Sequence, residues 1–246
     1  MSPLLTRREF VTATGVLAGT TLAPDLRRSD ALLAQATEGP VVLFQGDSIT
    51  DCGRNRTVTD PNAPAALGSG YPFLVAAAAL AAYPERALRF YNRGVSGNKV
   101  PDLQQRWADD ALALKPTILS ILIGVNDFWH KLDHGYTGTV ADYERQFAAL
   151  LEQTRSALPR VRVIVLEPFV LRCGAVDARW FPEFDERRAA AARVAGHAKA
   201  TFVPLQKPFD ALARRAGPAY WAADGVHPTP AGHAVIAEYW RRAAHL

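Results

Sequence analysis

Short apolar runs alternate with longer, alanine-rich stretches along the chain from residue 40 onwards. The runs are nearly continuous and rich in β-branched residues, a pattern typical of strands that are buried on both faces of a sheet. This pattern predicts five strands, at residues 41–45, 88–92, 117–124, 161–168 and 201–205. The intervening and following stretches predict helices at residues 72–83, 102–113, 139–157, 183–199 and 230–243.

Strands that are separated by helices form a parallel sheet through right-handed crossovers, and the helices cover both of its faces. We therefore predict an α/β fold: a three-layer α/β/α sandwich around a five-stranded parallel sheet, with no second domain. Ligands of such sheets bind beyond the carboxyl ends of the strands. Functional side chains are accordingly expected directly after the strands rather than inside the helices.

The composition fits a single globular core, since 49% of the 246 residues are hydrophobic and 21% are charged. The formal net charge is +4, but the arginines are scattered and form no long basic block. We therefore expect a solvated surface and no nucleic-acid partner. No apolar run approaches the roughly 20 residues that cross a bilayer, so we expect no membrane span.

The N-terminal segment has the features of an export signal. Arg7 and Arg8 precede a mildly apolar stretch, and Ala34–Ala36 offers small residues for cleavage. We predict a twin-arginine-type signal peptide at residues 1–36, with the α/β domain at 37–246. The twin-arginine export machinery would then deliver the protein to the periplasm or the cell exterior. The alternative is a disordered or helical N-terminal tail.

The sequence gives no strong sign of a disulfide or of a metal. Cys52 and Cys173 are far apart in sequence, and we expect two free cysteines, although a pair stays open. His130 and His134 are four residues apart, but their segment is rich in turn-forming residues and no third ligand is near. We expect no metal and no other cofactor.

Residues with complementary chemistry follow the predicted strands. Ser48 follows the first strand, within "GDSITD", and Asp224 and His227 come after the fifth, just before the last helix. A serine hydroxyl becomes a nucleophile when a neighbouring base removes its proton. His227 can be that base, and Asp224 can orient its imidazole. The alternative for Ser48 is a cap on the helix that follows.

Acyl transfer also needs hydrogen-bond donors for the oxyanion of the tetrahedral intermediate. Gly94 follows the second predicted strand and Asn126 follows the third. We predict three donors: the backbone N–H groups of Ser48 and Gly94, and the side-chain amide of Asn126. Ser48 lacks the G-x-S-x-G elbow of the α/β-hydrolases, and it precedes the other candidates in the chain, which argues against that fold.

The blocks "GDSITD", "NRGVSGN", "GVND" and "DGVHP" resemble the conserved blocks of the GDSL or SGNH hydrolases. That family is named for the residue types found here as Ser48, Gly94, Asn126 and His227. The resemblance covers about residues 41–243 and implies the flavodoxin-like SGNH hydrolase fold and a metal-independent serine esterase. Longer stretches, such as "GDSITDCGRNR" and "IGVNDFWH", are similar to bacterial acetylxylan esterases that deacetylate xylo-oligosaccharides.

This subfamily resemblance implies a small acyl group, acetyl, on xylan or a related plant-polysaccharide fragment. Aromatic rings stack on sugars and narrow an acyl pocket, and charged residues next to the nucleophile can orient a substrate. The substrate-binding candidates are Asp51, Arg54, Tyr71, Trp129 and Trp221. Each can instead have a structural role, in core or rim packing for the aromatic residues and in an ion pair for Asp51 and Arg54.

Two alternatives to an acetylesterase stay open. A lipase, lysophospholipase or thioesterase of the same family would take longer acyl chains. A non-catalytic carbohydrate-binding protein would use the same scaffold without turnover, although such a protein has no need of an Asp–His pair beside a serine. The sequence leaves open which sugar carries the acyl group and whether the protein forms a homo-oligomer.

Overall fold

A computed structural model describes residues 39–246. The predicted signal peptide at residues 1–36 lies outside the described residues. The described part contains a five-stranded, fully parallel sheet with the strand order β2-β1-β3-β4-β5. The strands are β1 Val41–Gly46, β2 Arg89–Asn92, β3 Ile118–Leu122, β4 Arg162–Leu166 and β5 Thr201–Val203. The predicted fold class is confirmed.

The helices lie between the strands and after them. They are α1 Ser48–Asp51, α2 Pro64–Leu67, α3 Tyr71–Ala82, α4 Val100–Trp107, α5 Asn126–Asp133, α6 Val140–Ala157, α7 Glu183–His197, α8 Gln206–Ala216, α9 Pro218–Trp221 and α10 Pro230–Ala244. A π-helical turn, Ala108–Leu112, continues α4, and short 3₁₀ turns cover Pro84–Arg86 and Ala178–Trp180. Within residues 39–246, no helix is both long enough and apolar enough to cross a membrane.

Alternate residues of the strands point into two separate cores. Val42 and Phe44 of β1 pack with α3 and α10 on one face of the sheet. Leu43, between them, packs with α4, α6 and α7 on the opposite face. Each face of β1 is therefore covered by helices, which explains why its sequence is an unbroken apolar run and not an alternating one.

Residues 39–246 contain the five predicted helices and five further helices that were not predicted. Helix α5 begins at Asn126 and ends at Asp133, so it includes the first four residues of the segment at 130–138 that is rich in turn-forming residues. Helix α8 contains Pro208, which lies in the first turn, where the backbone N–H has no partner within the helix. Asp224 and His227 lie after β5 and just before α10, and α8 and α9 separate them from the strand.

The strand order creates a crevice at the carboxyl edge of the sheet. From β1 the chain moves to β2 on one side, and from β2 it returns past β1 to β3 on the other. Strand orders that reverse in this way leave a gap outside the carboxyl ends of the two central strands, which is where such folds bind ligands. Ser48 follows β1 and Asn126 follows β3, so both lie at this gap.

Candidate active site

Helix α1 is capped by Asp47, not by Ser48. The Asp47 carboxylate accepts a hydrogen bond from the backbone N–H of Ile49 at 3.0 Å, and Ser48 is the first residue of the helix. An aspartate is among the best residues for this position, since its oxygen satisfies a backbone donor that the helix leaves without a partner. The cap role considered for Ser48 is therefore filled by its neighbour, and the Ser48 hydroxyl is available for other contacts.

A chain of short hydrogen bonds joins the serine, the histidine and the aspartate predicted as catalytic. The distance from Ser48 Oγ to His227 Nε2 is 2.8 Å, and that from His227 Nδ1 to Asp224 Oδ2 is 2.6 Å. An ionised carboxylate only accepts hydrogen bonds, so Nδ1 of the imidazole carries the proton. In the neutral ring, the lone pair of Nε2 consequently faces the Ser48 hydroxyl, as a general base requires.

Asp224 is fixed by its own turn. Its Oδ1 atom accepts hydrogen bonds from the backbone N–H groups of Val226, at 2.9 Å, and His227, at 2.7 Å. Partial burial acts to raise the pKa of Asp224, but the hydrogen bonds from the His227 ring and from these backbone groups hold it below its usual value. The carboxylate therefore stays ionised beside the imidazole and favours the imidazolium that forms during catalysis.

The Asp224 turn rests on a segment that follows β4, Leu171–Val176. The N–H of Leu171 donates to Gly225 O, and the N–H of Ala175 donates to Asp224 O, both at 2.8 Å. Gly174 has φ +58°, and a Cβ atom there would lie 2.6 Å from the Asp224 Cα atom. This close contact between the two backbone segments fixes the position of the Asp224 turn relative to the sheet.

Gly94 was predicted as an oxyanion donor, and the structure contradicts this. Its N–H already donates to the Asn92 side chain at 2.9 Å. A Cβ atom at Gly94 would lie 2.4 Å from the backbone nitrogen of Asp51, so the glycine is needed for close packing against α1. Neither the amide partner nor the packing distance is visible in the sequence.

Gly97, three positions further on, has the properties that Gly94 lacks. Within residues 39–246 its N–H has no hydrogen-bond partner, and the same holds for the N–H of Ser48. Gly97 has φ +83°, a conformation that favours glycine, and the space beside it is open. Sequence reasoning missed this residue; its only sign was the Gly97-Asn98 pair, which is typical of a tight turn.

Asn126 is the first residue of α5 and is almost fully buried. Its Nδ2 atom donates to Asn98 O at 3.1 Å, which leaves the second amide hydrogen without a partner in the described part of the chain. Since Asn98 follows Gly97, this bond joins the amide of Asn126 to the loop that carries the free N–H of Gly97. Together with the N–H of Ser48, the site offers three donors to an oxyanion.

Two buried carboxyl groups lie behind these donors. Burial raises the pKa of Asp47 to about 7, and proximity to Asp127 adds to the rise. Burial likewise raises the pKa of Asp127 to about 7, against the opposing hydrogen bond from Val100 N. Both side chains are buried, so the region beneath the site is shielded from solvent, a condition that strengthens the hydrogen bonds to developing charge.

Three of the predicted substrate-binding residues are buried away from the surface, so these predictions are wrong. The side chains of Asp51 and Arg54 are 5% and 4% exposed, and Arg54 Nε donates to Gly94 O at 2.7 Å. Tyr71 is fully buried, and its hydroxyl bonds to Thr50 Oγ1 at 3.1 Å. Their partners lie within the protein, and none of the three faces the gap at the sheet edge.

The two predicted tryptophans occupy different places. The Trp129 ring is partly buried, with its centroid 5.8 Å from that of His227 and 5.8 Å from that of Trp180. It therefore forms one wall beside the histidine. Trp221, which is also partly buried, packs edge-on against Tyr220 at 4.9 Å rather than against the histidine ring.

In the described part of the chain, no group of three or more histidine, cysteine, aspartate or glutamate side chains is placed to hold a metal ion. The rings of His130 and His134 lie 4.6 Å apart. Both cysteines are free: Cys52 Sγ lies 3.3 Å from His233 Nε2, and Cys173 Sγ donates to Ala222 O at 3.4 Å.

The sequence profile of the GDSL-like lipase/acylhydrolase family matches residues 44–235, which include Ser48, Asn126, Asp224 and His227. The chain belongs to this family. GDSL-like hydrolases act on carboxylic esters, and the protein is a carboxylic ester hydrolase. The resemblance of its four sequence blocks to this family is thereby confirmed.

Among characterised members of the GDSL-like family, the acetylxylan esterase of Geobacillus stearothermophilus is 36% identical over 212 residues. These cover 83% of this chain and 93% of the esterase. A structure of the G. stearothermophilus acetylxylan esterase Axe2 has a TM-score of 0.75 and 34% identity, over 85% of this chain and 95% of Axe2. A protein of Parabacteroides merdae described as a GDSL-like lipase has a TM-score of 0.82 and 46% identity, over 85% of this chain and 96% of its own.

Other Axe2 structures contain single substitutions. Two of these variants, one with a serine and one with a histidine replaced by alanine, are described as catalytic mutants. Axe2 is therefore an acetylxylan esterase whose catalysis involves a serine and a histidine.

Proposed function

We propose that the protein hydrolyses small acyl esters, and most specifically removes acetyl groups from xylo-oligosaccharides or related plant-polysaccharide fragments. Ser48 is the nucleophile, His227 the general base and acid, and Asp224 the group that orients His227. The observation that carries this proposal is the continuous hydrogen-bonded series from Ser48 Oγ through the imidazole to the Asp224 carboxylate, at 2.8 and 2.6 Å.

In the first half of the reaction, His227 Nε2 takes the hydroxyl proton of Ser48 while Oγ attacks the ester carbonyl carbon. The carbonyl oxygen becomes an oxyanion and accepts hydrogen bonds from the N–H of Ser48, the N–H of Gly97 and Nδ2 of Asn126. The intermediate then collapses. The bond to the sugar oxygen breaks, the imidazolium returns the proton to that oxygen, and an acyl group stays on Ser48.

In the second half, water repeats these steps on the acyl-serine. His227 removes a proton from the water as it attacks, and the same three donors bind the second oxyanion. Collapse releases acetate and restores the Ser48 hydroxyl with the proton held by His227. Because the base must be neutral to accept a proton, we expect the rate to be lower at acidic pH.

The preference for acetyl is supported by the wall beside the histidine and by the relatives. Trp129 packs between His227 and Trp180, so a rigid pair of indoles limits the space on that side of the site. The similarity to the G. stearothermophilus acetylxylan esterase extends over 83% of the chain. A sugar ring also suits an aromatic wall, since its apolar face stacks on an indole.

A series of p-nitrophenyl esters from acetate to octanoate tests the acyl preference. We expect kcat/KM to fall steeply beyond propionate, because the longer chains meet the indole wall. A preference for octanoate would contradict the acetyl proposal and favour the lipase or thioesterase alternative. No turnover of any ester by the folded protein would favour the non-catalytic carbohydrate-binding alternative.

Product analysis on acetylated xylan, rhamnogalacturonan and chitin fragments would identify the sugar. Release of acetate from the xylan fragments at the highest kcat/KM is the expected result, and selective release from another polymer would overturn the xylan assignment. The twin-arginine signal and export remain predictions. Sequencing the N-terminus of the exported protein tests them, with residue 37 as the expected first residue.

A further inference from the structure

The segment Gly94–Asn98, here called the oxyanion loop, is tied to the nucleophile helix by one buried carboxylate. Asp51 lies in α1, three residues after Ser48, and its side chain is 5% exposed. Its Oδ2 atom accepts hydrogen bonds from the backbone N–H of Ser96 at 2.9 Å and from Ser96 Oγ at 2.8 Å. Ser96 immediately precedes Gly97, the proposed oxyanion donor.

Two arginines complete this attachment. Arg56 forms an ion pair with the same Oδ2 atom of Asp51. Arg54 lies with its Nε atom 3.9 Å from Asp51 Oδ1 and donates to Gly94 O, at the start of the oxyanion loop. Burial acts to raise the pKa of Asp51, but the hydrogen bonds from Arg56 and Ser96 hold it below its usual value. The carboxylate therefore stays charged.

The far end of the oxyanion loop is held by a different helix. Asn98 O accepts from Asn126 Nδ2 at 3.1 Å, and Val100 N donates to Asp127 Oδ1 at 3.2 Å. The side chains that make these two hydrogen bonds, Asn126 and Asp127, both belong to α5. Gly97 therefore lies between an attachment to the helix that carries Ser48 and an attachment to the helix that carries Asn126.

We propose that Asp51 is a positioning residue for catalysis: by binding Ser96 from the nucleophile helix, it holds the N–H of Gly97 at the place where the oxyanion forms. The inference rests on the proposed function of Ser48 and Gly97. A carboxylate is required because three donors converge on one oxygen, from Ser96 N, Ser96 Oγ and Arg56. An asparagine in its place would face these donors either with its uncharged amide oxygen or with its NH₂ group, which donates and cannot accept.

The chain offers a matched control in Asp142, at the first turn of α6. Asp142 Oδ2 accepts from Thr139 N at 3.0 Å and from Thr139 Oγ1 at 2.7 Å, and Arg145 pairs with its other oxygen. The donor set is the same as that of Asp51: a backbone N–H, a hydroxyl and an arginine. Asp142 lies at the exposed start of α6, so the change Asp142→Asn removes the same negative charge from an equivalent set of donors without touching the site.

The experiment compares Asp51→Asn with Asp142→Asn, using p-nitrophenyl acetate as substrate and methylboronic acid as an inhibitor that forms a tetrahedral adduct on serine. For Asp51→Asn we expect kcat to fall by about 10- to 100-fold, since a displacement of roughly 1 Å in a catalytic group has this effect. KM should change little, and the inhibition constant of the boronic acid should rise in parallel with the fall in kcat. For Asp142→Asn all three quantities should stay at the values of the unaltered protein.

A merely structural role of Asp51 would give a different result. Partial unfolding lowers the apparent kcat but leaves the inhibition constant of the folded fraction unchanged, so an unchanged boronic acid affinity would overturn the proposal. If Asp51→Asn does not fold, Ser96→Ala serves instead, because it removes only the hydroxyl contact. Ser96→Ala should weaken boronic acid binding by a few fold, and no weakening would contradict the proposal. Failure of the proposed function is distinguishable, since the unaltered protein would then not hydrolyse the ester.

Discussion

At the scale of single residues, two glycines three positions apart in one loop have different roles. Gly94 is buried against α1, and its N–H is bound to Asn92. Gly97 has an N–H without a partner in the described chain and an open space beside it, where His130 Cε1, at 3.8 Å, is the nearest atom to an added Cβ. Both residues look alike in "NRGVSGN", and only their partners in space separate the packing residue from the proposed oxyanion donor.

The substitutions Gly94→Ala and Gly97→Ala should consequently act through different effects. Gly94→Ala places a Cβ atom 2.4 Å from Asp51 N and should lower the free energy of unfolding by about 1–3 kcal/mol, as overpacking does. Gly97→Ala meets no close atom but disfavours φ +83°, so it should lower kcat with a stability cost of only about 1–2 kcal/mol. Urea denaturation and ester hydrolysis measure the two effects, and an unchanged kcat in folded Gly97→Ala would refute the reassignment.

At the scale of elements, the Asp224 turn depends on the segment that follows β4. This segment, Leu171–Val176, supplies two backbone hydrogen bonds to the turn and has no side chain in the chemistry. It was not singled out from the sequence because its contribution is made by backbone atoms. By contrast, the strands were predicted to within a few residues, since burial on both faces of the sheet requires a nearly continuous apolar run in the sequence.

Substitution of Gly174 tests the support given by this segment. In Gly174→Ala the added Cβ would lie 2.6 Å from the Asp224 Cα atom, so the turn must shift. We expect kcat to fall by about tenfold or more, because the imidazole of His227 moves with the turn. The matched control is Gly196→Ala in α7, where an added Cβ meets no atom within 4 Å and kcat should stay unchanged. Equal kcat values in the two variants would show that the turn does not depend on this contact.

At the scale of the whole molecule, the fold brings together Ser48 and His227, which lie 179 positions apart in the sequence. The sequence predicted this meeting because parallel strands end at one edge of a sheet. It could not predict the inward-facing roles of Asp51, Arg54 and Tyr71, since a charged or aromatic residue next to a nucleophile is compatible with either orientation. Their partners come from distant segments, which a single sequence does not specify.

The free energy of unfolding should depend on pH in a way that reflects the buried carboxyl groups. The pKa of Asp127 is raised by burial from its ordinary value near 4 to about 7, so the folded state binds more protons than the unfolded state between these values. Its contribution to stability is therefore present below about pH 4 and is lost as the pH rises towards 7. Asp47 acts in the same direction.

Asp127→Asn removes this titration while keeping the shape of the group and an oxygen that can accept from Val100 N. The free energy of unfolding of the unaltered protein, minus that of Asp127→Asn, should decrease as the pH rises from 4 to 7. Taking the difference cancels the titration of carboxylates that do not interact with Asp127, including those whose pKa is lowered by ion pairs. Asp47 does interact with Asp127, and the loss of this interaction in Asp127→Asn changes the difference in the same direction. Chemical denaturation at several pH values measures it, and a difference independent of pH in this window would count against a buried, protonated Asp127.

The central claim is that the Ser48 hydroxyl, activated by His227, attacks the ester. The most direct test is the hydrolysis of p-nitrophenyl acetate by the unaltered protein and by Ser48→Ala, with thermal unfolding of both as the check on folding. We predict turnover by the unaltered protein and a fall in kcat of about a thousandfold or more in the folded Ser48→Ala variant. Undiminished turnover by Ser48→Ala would contradict the account.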